Sequence, residues 1–190
     1  MSCQTYITNK LNYCSAYELN IQDKSLLAKN TLEEFILQKV VSGKFRKWKV
    51  NKNHKQEIFQ AISHNINNEQ PIKFTFWFGG YKLYSLFPFP EVDWADFFAI
   101  SYYCQYISPI LLVYPPGVDF TFMLDSKILT KINNISLDEI NMYQNSFKKL
   151  LKEFAIFFPK NLKLNVQKSS DLYSDSEFEE KFQESFEKEV

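Results

Sequence analysis

The stretch 118-VDFTFML-124 decides the predicted fold of this chain. Polar and apolar side chains alternate along it, which is typical of a β-strand. The turn 115-PPG-117 precedes it. Pro116 in the second position and Gly117 in the third predict a type II turn there. A second apolar run, 71-PIKFTFWF-78, also indicates a strand, so the segments around these two runs determine how the strands connect.

Helical segments flank and separate the two strands. Helices are predicted at 31–41, 54–66, 91–107 and 137–158, and a last strand at 162–167. The first of these helices begins with the capping-box pair Thr31 and Glu34, and the last begins with Ser136 and Glu139. These local patterns set the order of the elements.

Two short segments leave the connections open. Residues 109–114 either end the third helix or form a short strand. Residues 127–132 are expected to return as a strand beside 118–124. With either structure for residues 109–114, helices and strands still alternate along the chain.

This alternation predicts an α/β fold, specifically a Rossmann-like three-layer sandwich with a central sheet. We expect residues 1–30 to be an N-terminal extension, 31–168 a single α/β domain, and 169–190 an acidic tail. In such folds, ligands bind at the loops that follow the strand ends.

Composition limits the classes of function. The 190 residues are 45% hydrophobic and 17% aromatic, which fits a folded domain with a substantial core. The formal net charge is zero, so no overall field attracts nucleic acid or membranes. The three cysteines form no CxxC pair, and no apolar run has the length of a membrane span. We therefore expect a cytoplasmic protein without a metal or another cofactor, and with no nucleic-acid or membrane partner.

Charge is unevenly distributed along the chain. Residues 39–55 contain seven Lys or Arg and no acidic residue, which is typical of a solvated helix end and loop. A nucleic-acid site would need a wider basic surface with several stacking aromatic residues, and Trp48 alone does not supply it. The tail 171–190 has eight acidic residues against two lysines, and its Phe178, Phe182 and Phe186 recur every four residues. A helix there would carry a narrow apolar stripe. It would dock on its own domain, on the basic segment or on a protein partner.

The strand end at 77-WFGGYK-82 is the first candidate site. Gly79 and Gly80 let the backbone turn sharply and let a ligand approach its N–H groups. Lys82 follows Tyr81 and is suited to a carboxylate, a phosphate or, with a lowered pKa, an imine. The alternative is a tight turn with a surface lysine.

Three carboxylates form the other candidates. Asp93 and Asp96 lie three residues apart at a helix start, where they can share a face for acid–base work or serve only as acidic residues at the helix N-terminus. Asp125 ends the strand 118–124, where it serves either as a functional carboxylate or as an Asx turn.

The run 109-PILLVYPPGVDFTFMLDSKILTKINNISLDEINMYQNSFKKLL-151 resembles the isocyanide synthase family. That family includes bacterial enzymes of isonitrile biosynthesis and a yeast spore-wall dityrosine enzyme. Positions that match its pattern in order and approximate spacing are Tyr114, Pro115, Pro116, Gly117, Asp125 and Tyr143. The helix at 91–107 is similar to a family helix through Ala95 and Asp96, and the similarity covers roughly residues 55–155.

The resemblance implies a reaction in which the amino group of an aromatic amino acid becomes an isocyanide, with the carbon drawn from a phosphorylated ketose. The expected catalytic residues are Lys82, Asp96 and Asp125, and the expected substrate-binding residues are Gly79, Gly80, Tyr81, Asp93, Trp94 and Tyr114. The partners would be an amino acid and a sugar phosphate. The alternative is a reduced, non-catalytic relative that binds a small ligand, or a protein partner through its tail.

Overall fold

The computed structural model describes residues 3–15, 17–45, 49–78, 91–124, 130–132 and 135–189. Its helices are α1 (Cys3–Ser15), α2 (Ile21–Lys29), α3 (Leu32–Val40), α4 (Lys52–Asn67), α5 (Trp94–Val113), α6 (Leu137–Phe157) and α7 (Asp175–Glu189). Its strands are β1 (Ile72–Trp77), β2 (Val118–Leu124) and β3 (Leu162–Lys168), and a short 3₁₀ helix, Ser169–Leu172, follows β3.

The strands form a parallel sheet in the order β1-β2-β3. The register aligns Ile72 with Val118 and Leu162, and Phe74 with Phe120 and Leu164. Helix α5 joins β1 to β2, and α6 joins β2 to β3. The predicted α/β fold is confirmed at this level.

One face of the sheet carries the core. Phe120 and Phe122 of the central strand are fully buried on this face. From α5, the Tyr103 ring lies 4.3 Å from the Phe76 ring, and from α6 the Phe147 ring lies 5.4 Å from the Phe122 ring. Both crossover helices therefore pack on the same face. This agrees with successive right-handed crossovers when the strand order does not reverse.

The opposite face is polar along the edge strands. Lys73 and Thr75 of β1 and Lys163 and Asn165 of β3 are exposed there. Trp77 is also exposed on this face. The alternation in the strand sequences thus separates a packed face from a polar face.

The first thirty residues contribute to the same core. Leu11 of α1 is only 2% exposed and belongs to the core cluster. Helix α1 contacts α5 and α6, and α2 contacts α3. The division into extension, domain and tail remains a prediction.

Three local predictions are settled within these residues. Residues 109–113 continue α5, so the helical alternative holds for this segment. Residues 130–132 are helical, so the returning strand predicted there is wrong for that part of the segment. The predicted turn is displaced by one residue, because the Gly117 N–H donates to the Tyr114 carbonyl at 2.9 Å. The Val118 N–H cannot close the turn, because it donates to the Asn161 carbonyl at 2.8 Å.

Candidate functional site at the carboxyl edge of the sheet

Parallel strands present their carboxyl ends at one edge, where α/β folds place ligands. Here β1, β2 and β3 end at Trp77, Leu124 and Lys168. The helices that follow β1 and β2 begin near this edge, at Trp94 and Leu137. We call this region the carboxyl-edge site.

A buried hydrogen bond joins α5 to α6 in this site. The Tyr143 hydroxyl donates to Asp96 Oδ1 at 2.9 Å. Asp96 is 2% exposed and Tyr143 is 3% exposed. Because both groups are buried and bonded, the carboxylate has a fixed position between the two helices.

The start of α5 orients the same carboxylate. The backbone N–H of Asp93 donates to Asp96 Oδ2 at 3.0 Å, and Asp93 Oδ1 accepts from the backbone N–H groups of Ala95 and Asp96 at 2.7 and 3.2 Å. This is a capping box, in which each carboxylate accepts from the other residue's backbone N–H. The two aspartates thus serve the helix N-terminus, and Asp96 additionally accepts from Tyr143.

The Tyr143 hydroxyl stays protonated. Burial raises the pKa of Tyr143, and the nearby Asp96 and Asp93 charges together with the Asp96 hydrogen bond raise it further. The phenol is therefore a neutral donor to Asp96 throughout the physiological range.

Gln144 follows Tyr143 on α6 and is also buried. It is 2% exposed, and its Nε2 has no hydrogen-bond partner among the described residues. A buried donor without a partner typically costs about 1–3 kcal/mol, so such a group suits a ligand that supplies an acceptor.

Two lysines also lie in this part of the structure. Lys168 ends β3, and its Nζ donates to Asn141 Oδ1 at 3.2 Å. Lys131 follows β2 and forms an ion pair with Glu179 of α7. Its Nζ lies 4.8 Å from the centre of the Phe182 ring. The tail helix therefore contacts the chain beside the carboxyl-edge site.

The structure brings together only some of the predicted site residues. Gly79, Gly80, Tyr81, Lys82 and Asp125 lie outside the described residues. Asp93, Trp94 and Asp96 lie together at the start of α5, where Trp94 is 46% exposed and its ring lies 5.8 Å from the Tyr6 ring of α1.

Tyr114 lies far from this group. It caps the other end of α5, about 27 Å from Asp96 along the helix axis at 1.5 Å per residue. Its hydroxyl donates to the carbonyls of Asn65 and Gln70 at 3.2 and 2.8 Å. The structure thus gives Tyr114 a contact with the end of α4 and does not bring it to Asp96.

Sequence reasoning missed Gln144, Lys131 and Lys168 as site residues. Tyr143 was noted as a position that matches the family pattern, and nothing in the sequence indicated its bond with Asp96. The sequence did contain one signal for such a site: Gln144, beside Tyr143, is a polar residue next to the apolar stripe of its helix. Buried polar residues of this kind are informative because most buried residues are apolar.

No family model, curated protein or solved structure matches this chain. In the described ranges, no cluster of three or more His, Cys, Asp or Glu residues is arranged to hold a metal ion. Across the same ranges, every helix is too short or too polar to cross a membrane.

Proposed function

We propose that the carboxyl-edge site binds an aromatic amino acid and that the chain is an isocyanide synthase-like enzyme. The enzyme would convert the amino group to an isonitrile with a carbon from a phosphorylated ketose. The observation that carries the proposal is the hydrogen bond between Asp96 and Tyr143, which are 47 residues apart in the chain. Tyr143 is one of the positions that carry the resemblance to the family, and Asp96, with Ala95, is the closest counterpart of residues in a family helix.

The residues of the site suit an amino acid. The Asp96 carboxylate is a charged hydrogen-bond acceptor of the kind that pairs with a ligand ammonium. Gln144 Nε2 has no partner in the part of the chain that the structure describes, and an amide N–H of this kind can donate to a ligand carboxylate. Trp94 and Tyr81 would contact the aromatic ring, and Lys82 would bind the ketose phosphate, with Asp125 as a second carboxylate.

The proposal includes a Rossmann-like three-layer sandwich and a cytosolic location. Parallel sheets in α/β proteins are normally covered on both faces. The exposed Lys73, Thr75 and Trp77 lie on the face opposite α5 and α6, where the third layer would pack. The odd cysteine count supports a reducing compartment.

A second candidate function is non-catalytic binding with a contribution from the tail. The ion pair between Lys131 and Glu179 favours it, because this contact holds the acidic helix beside the ligand edge. In that case the tail would regulate access to a small ligand or bind a protein partner.

The test combines binding with product analysis. Tyrosine and ribulose 5-phosphate are titrated calorimetrically into the full chain, and mixtures are examined by mass spectrometry for an isonitrile. We expect Asp96→Asn to abolish product and to weaken tyrosine binding at least tenfold, because it removes the charge that pairs with the ammonium.

The matched control is Glu34→Gln. Glu34 holds the same capping-box position in α3 that Asp96 holds in α5, so the control changes an equivalent helix start. Binding without product would support the non-catalytic candidate. Equal tyrosine binding by Asp96→Asn, Glu34→Gln and the unchanged chain would refute the proposed site.

A further inference from the structure

A cleft of about 460 Å³ lies between α2, α3 and α5, with Asp23, Lys39, Tyr102 and Gln105 among its lining residues. This volume is within the range of small-molecule sites. The α5 residues that line it come from the middle and second half of the helix, whereas Asp96 lies in the first turn. The cleft is therefore separate from the carboxyl-edge site.

A buried ion pair forms the floor of the cleft. Asp23 is 1% exposed, pairs with Lys39 Nζ and accepts from the Tyr17 hydroxyl. The Lys39 ammonium lies 5.5 Å from the centre of the Tyr106 ring, where the ring face attracts it. An ammonium has three N–H donors, and the pair with Asp23 uses one. Lys39 can therefore offer N–H donors to a ligand in the cleft. Its positive charge is balanced by the Asp23 carboxylate, so the ion pair has no net charge.

Stacked aromatic rings form one wall. The Phe45 and Tyr106 rings stack at 5.4 Å, and the Tyr106 and Tyr102 rings stack at 6.0 Å with an interplanar angle of 18°. The hydroxyl of Tyr106 donates to the Lys39 carbonyl and that of Tyr102 to the Lys44 carbonyl, so both rings are anchored at their tips. Tyr102 lines the cleft and is 45% exposed, so part of this ring is accessible to a planar ligand.

Polar residues line the cleft together with Tyr102. Gln105 lies three residues after Tyr102 on α5, so the two residues are neighbours on the helix surface. Pro109 lacks an N–H and cannot donate to the Gln105 carbonyl, which removes one helical bond beside the cleft. The hydrogen bond from the Tyr102 hydroxyl to the Lys44 carbonyl holds the Lys44 backbone at the tip of the ring, and Lys44 is exposed and lines the cleft.

We propose that this cleft binds a purine nucleotide. The base stacks on Tyr102, the Gln105 amide pairs with the donor and acceptor edge of the base, and Lys44 binds the phosphate. Amide side chains match the edge of adenine, bases stack on aromatic rings, and an ammonium binds phosphate as a point charge. An uncharged sugar would make no use of the Lys44 charge, and inorganic phosphate would make no use of the Tyr102 face.

The test titrates AMP, adenosine, ribose 5-phosphate and inorganic phosphate into the full chain by calorimetry. We expect AMP to bind most tightly. Tyr102→Ala should weaken both AMP and adenosine about tenfold, because it removes the stacking surface. Lys44→Ala should weaken AMP to the level of adenosine and leave adenosine unchanged.

Tyr173→Ala and Lys49→Ala are the matched controls, because Tyr173 is 42% exposed and Lys49 is also exposed, and both lie outside the cleft lining. Circular dichroism checks the fold of each variant. If Tyr102→Ala fails to fold, the comparison of AMP with adenosine on Lys44→Ala decides the question alone. Undetectable AMP binding, or AMP affinity equal to that of inorganic phosphate, would overturn the inference, as would equal effects of Lys44→Ala and Lys49→Ala.

Discussion

Replacing Gly117 by alanine should strongly destabilise the fold. Gly117 has a φ of +76°, a left-handed conformation that residues with a Cβ rarely adopt. A Cβ at this position would lie 1.9 Å from the Asn161 carbonyl oxygen, which belongs to the backbone just before β3. In the alanine variant, the backbone at position 117 and the Asn161 backbone must therefore move apart.

The expected loss follows from these contacts. The left-handed conformation costs alanine about 1–2 kcal/mol. Relief of the clash requires a separation of about 1.5 Å more, which breaks the bond from the Val118 N–H to the Asn161 carbonyl and strains the one from the Ile72 N–H to the Gly117 carbonyl. The Asn161 amide also donates to the Leu111 carbonyl. At about 1 kcal/mol for each bond, the total loss is about 3–5 kcal/mol in the free energy of unfolding.

Urea unfolding and thermal melting measure this loss. For a chain of this length, about 3–5 kcal/mol corresponds to a melting temperature lower by about 6–20 °C. Gly43→Ala is the matched control, because a Cβ there meets no atom within 4 Å, and it should change stability by at most about 0.5 kcal/mol. The reasoning fails if the two variants differ by less than about 1 kcal/mol.

Two further predictions concern buried polar groups. Tyr143→Phe should lower the free energy of unfolding at pH 7 by about 1–2 kcal/mol, because Asp96 loses a buried donor. The pKa of Tyr143 is raised from 10.0, so its contribution is complete below about pH 10 and falls above it by about 1.4 kcal/mol per pH unit, because the unfolded phenol ionises first. Urea titrations between pH 8 and 11 should therefore show a shallower decline for Tyr143→Phe, and parallel curves would contradict this assignment. Asp23→Asn should cost about 3 kcal/mol, because it leaves the Lys39 charge unpaired, and adding Lys39→Met should restore most of the loss. A double-mutant cycle measures the coupling, and additive effects would contradict a mutual dependence of the pair.

The local elements were largely predictable because their signals are local. The strand 118–124 was predicted with the bounds that the structure has, and the capping boxes at Thr31 and Ser136 begin α3 and α6 as expected. Side-chain alternation and caps act within a few residues, so a single sequence contains them. The displaced turn at Gly117 differs because the Val118 N–H donates to Asn161, which lies just before β3 and is distant in the chain.

The carboxyl-edge site was predictable only in part. Asp93 and Asp96 could be chosen from their place at a helix start, since acidic residues favour that position. The bond between Asp96 and Tyr143 could not be derived, because it depends on how α5 and α6 cross on the sheet. The cleft floor was missed for the same reason, since Asp23 and Lys39 belong to different helices.

By itself, the sequence determined the three strands of the sheet and the four helices α3 to α6, because alternation, helical spacing and caps are local signals. It did not predict the helices α1 and α2 in residues 1–30. Only the tertiary structure decided that both crossover helices pack on one face of a three-stranded parallel sheet. It also decided which buried polar groups meet. The physical reason is that strand order and helix packing depend on contacts between residues far apart in the chain, and these contacts override or complete what local patterns specify.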